Sequence, residues 1–424
     1  MAKFLRRHRW LWFVRLEDIG LGLAVLAIAE IVLGFNGDLI QIGGLNLRYM
    51  IIVSNLAFFV ASVFFRDRVW VRVSWIELSM LLMVVYGIVW TVLGYSASNN
   101  FYLLEGKGYF SELFLVTIYL HLKHYRIPTK KVIRMIQTPL LILFSLISLT
   151  WLYAALVRFN LETVFAFFKQ FTGTAFIGSE NASGRIYFLN TVLLPLSAYI
   201  FCLSSSRLNA FRFYGWIGLY LLAMVAIGSR GVAAATAPLL FVCLINRIVF
   251  SPTSKRFRTT TLIVGLCLLL ALPYAIGSLG STRFFSNSSG KIFQASDSIR
   301  YEQSQYLWSE HQRSPWFGFG FGHFVANYTR SAERPYSYEV FFVGLLMKTG
   351  YVGMLIYASA LCIIALAPWL YRVQFSRYQK MIYLMTFLTT VFQASSNPFL
   401  DTPIGQLLLF APWLVLEAIG RDRS

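Results

Sequence analysis

Charge is what this chain lacks. Only 13% of its 424 residues are Asp, Glu, Lys or Arg, about half the share of an ordinary soluble domain. So little charge excludes a large water-exposed surface. Acidic residues are scarcer still, 18 against 37 Lys and Arg, giving a formal net charge of +19. That excess does not imply a nucleic-acid partner, because basic residues gather in the cytoplasmic loops of membrane proteins and orient them. The four cysteines, Cys202, Cys243, Cys267 and Cys362, all fall in apolar runs. They offer neither a disulfide framework nor a metal cluster. No internal repeat is visible, which disfavours transporters built from inverted repeats. The basic N-terminus precedes an apolar run but no small-residue cleavage pattern follows, so that run reads as a first membrane helix rather than a signal peptide.

What the chain has instead is apolar length. Hydrophobic residues make up 57% of it, in runs close to the roughly 20 residues that cross a bilayer. Spans are expected near 18–35, 49–65, 76–95, 109–122, 135–157, 186–203, 213–228, 232–249, 260–279, 338–370, 381–396 and 403–419. The fold class is therefore an all-α polytopic membrane protein of about twelve spans. The run at 338–370 is too long for one straight crossing and contains Lys348-Thr-Gly350. A break there is tolerable only if it is packed in protein or lines a cavity. With both termini inside, 24 of the 37 basic residues fall in inner segments, as the positive-inside rule requires. The chain then divides into nine spans over 1–279, a large outer loop over 280–337 and three spans over 338–424. That loop is rich in aromatic residues, so short helices packed over the outer face are expected in it rather than disorder.

Several polar residues stand out against this background. Arg185 opens a span in SGRIYFLN, and Arg230 sits in the turn Gly228-Ser-Arg-Gly231 between two spans. An arginine beside a helix N-terminus is a natural anion site, although Arg185 could equally snorkel to the interface. In the outer loop, Ile299, Gln303, Tyr306, Leu307 and Glu310 have helical spacing. Ser296 or Asp297 would cap that helix, with Arg300 near its start. Pro315-Trp-Phe-Gly-Phe-Gly-Phe-Gly322 then reads as a sharply turning aromatic loop, not a dinucleotide fingerprint, because no strand-turn-helix unit surrounds it. Glu339 begins the next apolar run. It could be a helix-dipole partner or a general base at the membrane edge.

In this order the motifs resemble the O-antigen ligase and polymerase superfamily, bacterial membrane glycosyltransferases that use undecaprenyl-pyrophosphate-linked sugars. The resemblance runs through Arg185, the Ser229-Arg-Gly231 turn, Arg300-Tyr-Glu-Gln-Ser-Gln-Tyr-Leu-Trp308, the glycine-alternating loop, Tyr338-Glu339 and Leu345-Leu-Met-Lys-Thr-Gly350. Ligases of this superfamily have a His-Asn pair where this chain has Tyr338-Glu339, which points to a Wzy-type polymerase of O-antigen, capsule or exopolysaccharide.

The resemblance implies the C-type glycosyltransferase architecture in the bacterial inner membrane, with the large loop periplasmic. The enzyme would be metal-independent and need no cofactor. Its partners would be lipid-linked glycan donor and acceptor, membrane lipids and a chain-length regulator, with no nucleic acid. The implied site comprises Arg185, Arg230, Arg300 and Arg283 toward the pyrophosphate. Glu339 and then His323 would be the bases, with Arg300 also among the catalytic residues. The alternatives are an O-antigen ligase acting on lipid A-core, a lipid-linked oligosaccharide transporter and a non-catalytic membrane scaffold. The topology is open to direct test. Reporter fusions at Lys130 and Lys255 should report the cytoplasm, and fusions at Asn181 and Ser288 the outer face. A cytoplasmic signal at Ser288 would place the large loop on the wrong side for flipped substrate.

Overall fold

The computed structural model describes residues 16–34, 41–42, 45–46, 50–51, 53–58, 60, 74–124, 127–157, 189–205, 208–250, 289–326, 328–329, 334–371, 375–395 and 398–422. The N-terminal helix is α1 (Leu16–Leu33), followed by a minimal antiparallel pairing of β1 (Gln41–Ile42) with β2 (Leu45–Asn46). Then come α2 (Trp75–Ser96), α3 (Tyr102–His124) and α4 (Thr129–Val157). A 3-10 turn (Leu189–Leu193) leads into α5 (Leu194–Ser204), then α6 (Ala210–Ile227) and α7 (Arg230–Phe250). The outer segment supplies α8 (Ser289–His311), and the chain closes with α9 (Phe341–Leu370), α10 (Arg377–Ser395) and α11 (Pro403–Arg421). Each apolar run read from the sequence overlaps one of these helices, with 186–203 described only in part, except 49–65, also described only in part, and 260–279, outside the described residues. Among the described residues four helices, α2, α4, α9 and α11, are long and apolar enough to cross a membrane, and α5 to α7 hold shorter apolar stretches.

The last helix is the centre of the bundle. Nearly every residue from Ile404 to Ala418 is buried, and a helix that is apolar all round belongs inside. Its start is fixed by Thr402, whose hydroxyl accepts from the Gly405 amide at 3.3 Å, with Pro403 in the first turn. At its far end Glu417 accepts hydrogen bonds from Tyr119 at 2.6 Å and Tyr371 at 3.1 Å, and Ala418 O accepts from Thr129 at 2.5 Å. The Lys123–Glu77 ion pair links α3 to α2, and Arg421 donates to Leu122 O at 3.2 Å. These residues belong to segments that the charge pattern assigns to the inner side.

The other end is organised around a break in α9. Gly350 has φ 63° and ψ −172°, so the helix is interrupted there. The backbone groups it releases are taken by the glycine-alternating loop. Tyr351 N donates to Pro315 O at 2.8 Å and Val352 N to Trp316 O at 3.0 Å, while Lys348 O accepts from Gly320 N at 2.8 Å. The same loop is pinned to α2. Phe321 N donates to Trp90 O at 3.0 Å, Trp90 Nε1 to Phe317 O at 3.0 Å, and Asn99 Nδ2 to Phe319 O and Phe321 O at 2.8 and 3.0 Å. Phe321 is fully buried and stacks on Tyr109 of α3 at 4.7 Å. Gly318, Gly320 and Gly322 all have positive φ, and a Cβ on each would strike the backbone of α9, α2 and α3 respectively. The alternation of glycine with phenylalanine therefore has two reasons. Glycine permits the left-handed turns against helix backbone, and the phenylalanines fill the space beside them.

One expectation is corrected here. The helix in the outer segment is a single 23-residue element starting at Ser289, not one of several short helices capped at Ser296 or Asp297. Both of those residues lie within it, and Arg300 is near its middle. No proline or glycine follows Gly290 until Pro315, so nothing in that stretch stops the helix earlier. The loop can be tested against matched controls. Gly320→Ala should destabilise the detergent-solubilised protein by at least about 1–2 kcal/mol from the left-handed strain alone, and Phe321→Ala by about 3–5 kcal/mol. Gly22→Ala and Gly215→Ala, where an added Cβ meets nothing within 4 Å, should be neutral or stabilising by up to about 1 kcal/mol. Thermal unfolding in detergent measures all four.

Candidate active site

Helix α8 lies against α9 and presents Arg300 and Gln303, three residues apart and so on one face, to the start of α9. Gln303 is completely buried, and its Oε1 accepts from Val340 N at 3.1 Å, satisfying an amide at the uncapped end of α9. Arg300 Nε donates to Glu339 Oε2 at 2.9 Å, and both side chains are half-buried. Glu339 is therefore the partner of an arginine at the start of α9. Its carboxylate orients the Arg300 guanidinium at the mouth of the bundle. Tyr338, which stands where ligases of the resembling superfamily have histidine, accepts from Val325 N at 2.8 Å and ties down the stretch after the glycine loop.

His323 follows Gly322 at the end of the same loop. Its Nε2 is 3.1 Å from Glu310 Oε1, and its ring stacks on Phe319 at 4.3 Å. Burial lowers its pKa, and the Glu310 carboxylate offsets part of that shift. A carboxylate can only accept here, so the bond runs from Nε2–H to Glu310. Arg313 bonds both oxygens of Glu310, at 2.8 and 3.0 Å. His323 is thus held in a small loop network of its own.

The turn Gly228-Ser-Arg-Gly231 folds as its residues dictate. Gly228 takes the left-handed conformation with φ 60° and ends α6. Ser229 begins the next helix, its carbonyl accepting from Ala233 N at 2.9 Å and its hydroxyl from Val232 N at 3.4 Å. Arg230 is the first residue of α7, at the positive end of that helix dipole. Nothing is described of its side chain. Arg185 and Arg283 lie outside the described residues.

Sequence reasoning missed a third group, Glu105, Lys348 and Asp401. Lys348 Nζ pairs with Glu105 Oε1 and donates to Tyr336 O at 2.6 Å. Glu105 Oε2 accepts from Gly322 N at 2.6 Å. The two side chains are only 6% and 5% exposed. One buried ion pair thereby ties α3 to α9, and through them it holds both the glycine loop that leads to His323 and the strap that leads to Glu339. Beside it a cavity of about 20 Å3 is lined by Glu105, Tyr109, Tyr336, Tyr338, Lys348 and Asp401, among others. That is room for about one or two water molecules. Asp401 Oδ1 is closed off from solvent and has no hydrogen-bond partner among the described residues. Burial, and then the Glu105 carboxylate, push the Asp401 carboxyl up to about 7, with Lys348 and Arg334 offsetting part. A lysine within the long apolar run at 338–370 was the signal available in the sequence. Its pairing with Glu105 across 243 positions was not. Among the described residues no group of His, Cys, Asp and Glu converges to hold a metal ion.

The buried pair predicts a thermodynamic cycle. Lys348→Met leaves Glu105 uncompensated and should cost about 3–5 kcal/mol. Glu105→Gln keeps an acceptor for Gly322 N but strands the lysine, at a similar cost. The double variant should be less destabilised than the sum of the two. Additivity in detergent unfolding would show that the pair is not coupled.

No curated protein and no solved structure matches the chain. The family described as O-antigen ligase matches residues 216–358, a stretch that holds Arg230, Arg300, His323, Glu339 and Lys348 but neither Glu105 nor Asp401. Over those residues the chain is similar to the O-antigen ligase family, consistent with the O-antigen ligase and polymerase superfamily.

Proposed function

We propose that this protein is a membrane glycosyltransferase that elongates glycans carried on undecaprenyl pyrophosphate at the outer face of the bacterial inner membrane. The observation that carries the reading is the Arg300–Glu339 pair, 2.9 Å apart inside the matched domain, at the end of the bundle where the glycine loop meets the broken helix. The segments assigned to the outer side by charge, around residues 94–105, 318–323, 336–350 and 398–402, meet at that end. In the reaction the acceptor hydroxyl oxygen bonds to the anomeric carbon of the donor. The bond from that carbon to the phosphate oxygen breaks, and lipid pyrophosphate leaves with the electron pair. Arg300, held by Glu339, would meet the negative charge that develops on the leaving group. Arg230, at the start of α7, and the arginines at 185 and 283 would complete the cationic cradle, and preorganised donors of this kind dominate such catalysis. With arginines neutralising the diphosphate, no metal is required.

Transfer to lipid A-core is the second reading, favoured by the description of the matched family as O-antigen ligase. Tyr338 and Glu339 favour elongation instead, because one serves as a tether and the other as an arginine partner. Purified protein offered lipid-linked repeats and lipid A-core in parallel separates the two. Longer lipid-linked glycan supports polymerisation, and glycan on lipid A-core supports ligation. Arg300→Lys and Arg230→Lys keep the charge and lose the planar fork. Each should lower the rate by about 10²–10³-fold with membrane insertion intact. Glu339→Gln should raise the donor KM along with lowering kcat, because it releases Arg300. Near-normal elongation by Arg300→Ala would remove that residue from the site.

A further inference from the structure

The reaction must dispose of the acceptor's hydroxyl proton, and most of the carboxylates described near the site are already engaged. Glu339 holds Arg300, Glu310 holds Arg313 and His323, and Glu105 holds Lys348 and the Gly322 amide. Glu302 is exposed on α8. Asp401 differs from all of them. Its Oδ1 is shut off from solvent, has no hydrogen-bond partner among the described residues, and belongs to a residue lining a water-sized cavity. Ser337 and Tyr338 line the same cavity and immediately precede Glu339, so the chain itself joins the cavity wall to the Arg300–Glu339 pair.

We infer that Asp401 is the proton acceptor of the transfer reaction, receiving the acceptor sugar's hydroxyl proton through water in this cavity. The inference rests on the glycosyl-transfer reading and deepens it. The hydroxyl proton passes to the cavity water, and that water gives a proton to the Asp401 carboxylate, whose residue lines the cavity. The freed oxygen bonds to the anomeric carbon as the pyrophosphate leaves, and the next turnover begins when Asp401 returns its proton to solvent. A buried acceptor needs water beside it, and Asp401 lines a water-sized cavity, with Lys348 and Arg334 offsetting only part of the effect of burial on its carboxyl. The groups facing it are Glu105 and Tyr109 from α3, Lys348 from α9, and Arg334 and Tyr336 from the strap before α9. Their net effect, with burial, places its ionisation near neutrality, where a general base works best. Because the carboxyl must be ionised to accept, the rate should rise with pH through about 7 and level off above it.

The test uses purified full-length protein and undecaprenyl-pyrophosphate-linked glycan extracted from cells lacking this chain. Glycan length is followed from pH 5 to 9. The wild type should elongate with a single rising limb near neutrality. Asp401→Asn should fall by about 10²–10⁴-fold in kcat, with donor KM within about threefold and no limb in the residual rate. Glu105→Gln removes a negative neighbour and should move the limb to lower pH. Should Asp401→Asn not fold, Asp401→Glu keeps a carboxyl and should retain a shifted limb at reduced rate, and a flat profile from it overturns the inference. An Asp401→Asn rate within about threefold of wild type, or a limb unmoved by Glu105→Gln, overturns the inference alone. No elongation by the wild type overturns the glycosyl-transfer reading and this inference with it.

Discussion

The structure at the outer end depends on satisfying a broken helix. A helix interrupted at membrane depth frees amides and carbonyls that lipid cannot bond, and each would cost several kcal/mol if left bare. At Gly350 those groups are met by the backbone of residues 315–320. The loop can come close enough only because Gly318 and Gly320 carry no side chain where they touch α9 and α2. The dependence runs both ways. The loop has little regular structure of its own, and the edges of α9 and α2 give it a template. The candidate bases, the arginine pair and the cavity are all placed by this interlock.

Buried charge is arranged to match. Lys348 is carried into the bundle by the first half of α9, and Glu105 meets it from α3. A buried ion pair contributes little net stability, since desolvation consumes most of the Coulombic gain. What it confers here is registry. Glu105 also bonds Gly322 and Lys348 also bonds Tyr336 O, so the pair fixes where two loop segments stand relative to two helices. The Arg300–Glu339 pair is less deeply buried than the Lys348–Glu105 pair.

Much of the fold could be read along the chain. Apolar runs located the helices because a bilayer-length stretch without charge has few other uses, and the Lys348-Thr-Gly350 interruption marked the break in α9. Gly228 and Ser229 announced a helix end and a helix start through ordinary capping chemistry. The outer segment was less legible. Arg300 was placed near a helix start that the structure puts eleven residues earlier, at Ser289, because Ser296 and Asp297 carry capping side chains without acting as caps. The glycine-alternating loop showed its turns but not its contacts.

What the sequence determined by itself is local or compositional: the poverty of charge, the lengths of the apolar runs, the side on which lysine and arginine gather, and the backbone freedom at Gly318, Gly320, Gly322 and Gly350. The tertiary structure decided which polar groups meet. Arg300 faces Glu339 across 39 positions and Lys348 faces Glu105 across 243, separations for which a single chain carries no periodic signal. Asp401 looked like an ordinary residue in a short connection, and only the packing of α3, α9 and the strap around it closed off its carboxyl oxygen and left a cavity beside it. Chain-local rules fix where the backbone turns. Long-range packing fixes which buried charges have partners, because desolvation makes that choice costly only after the helices have come together.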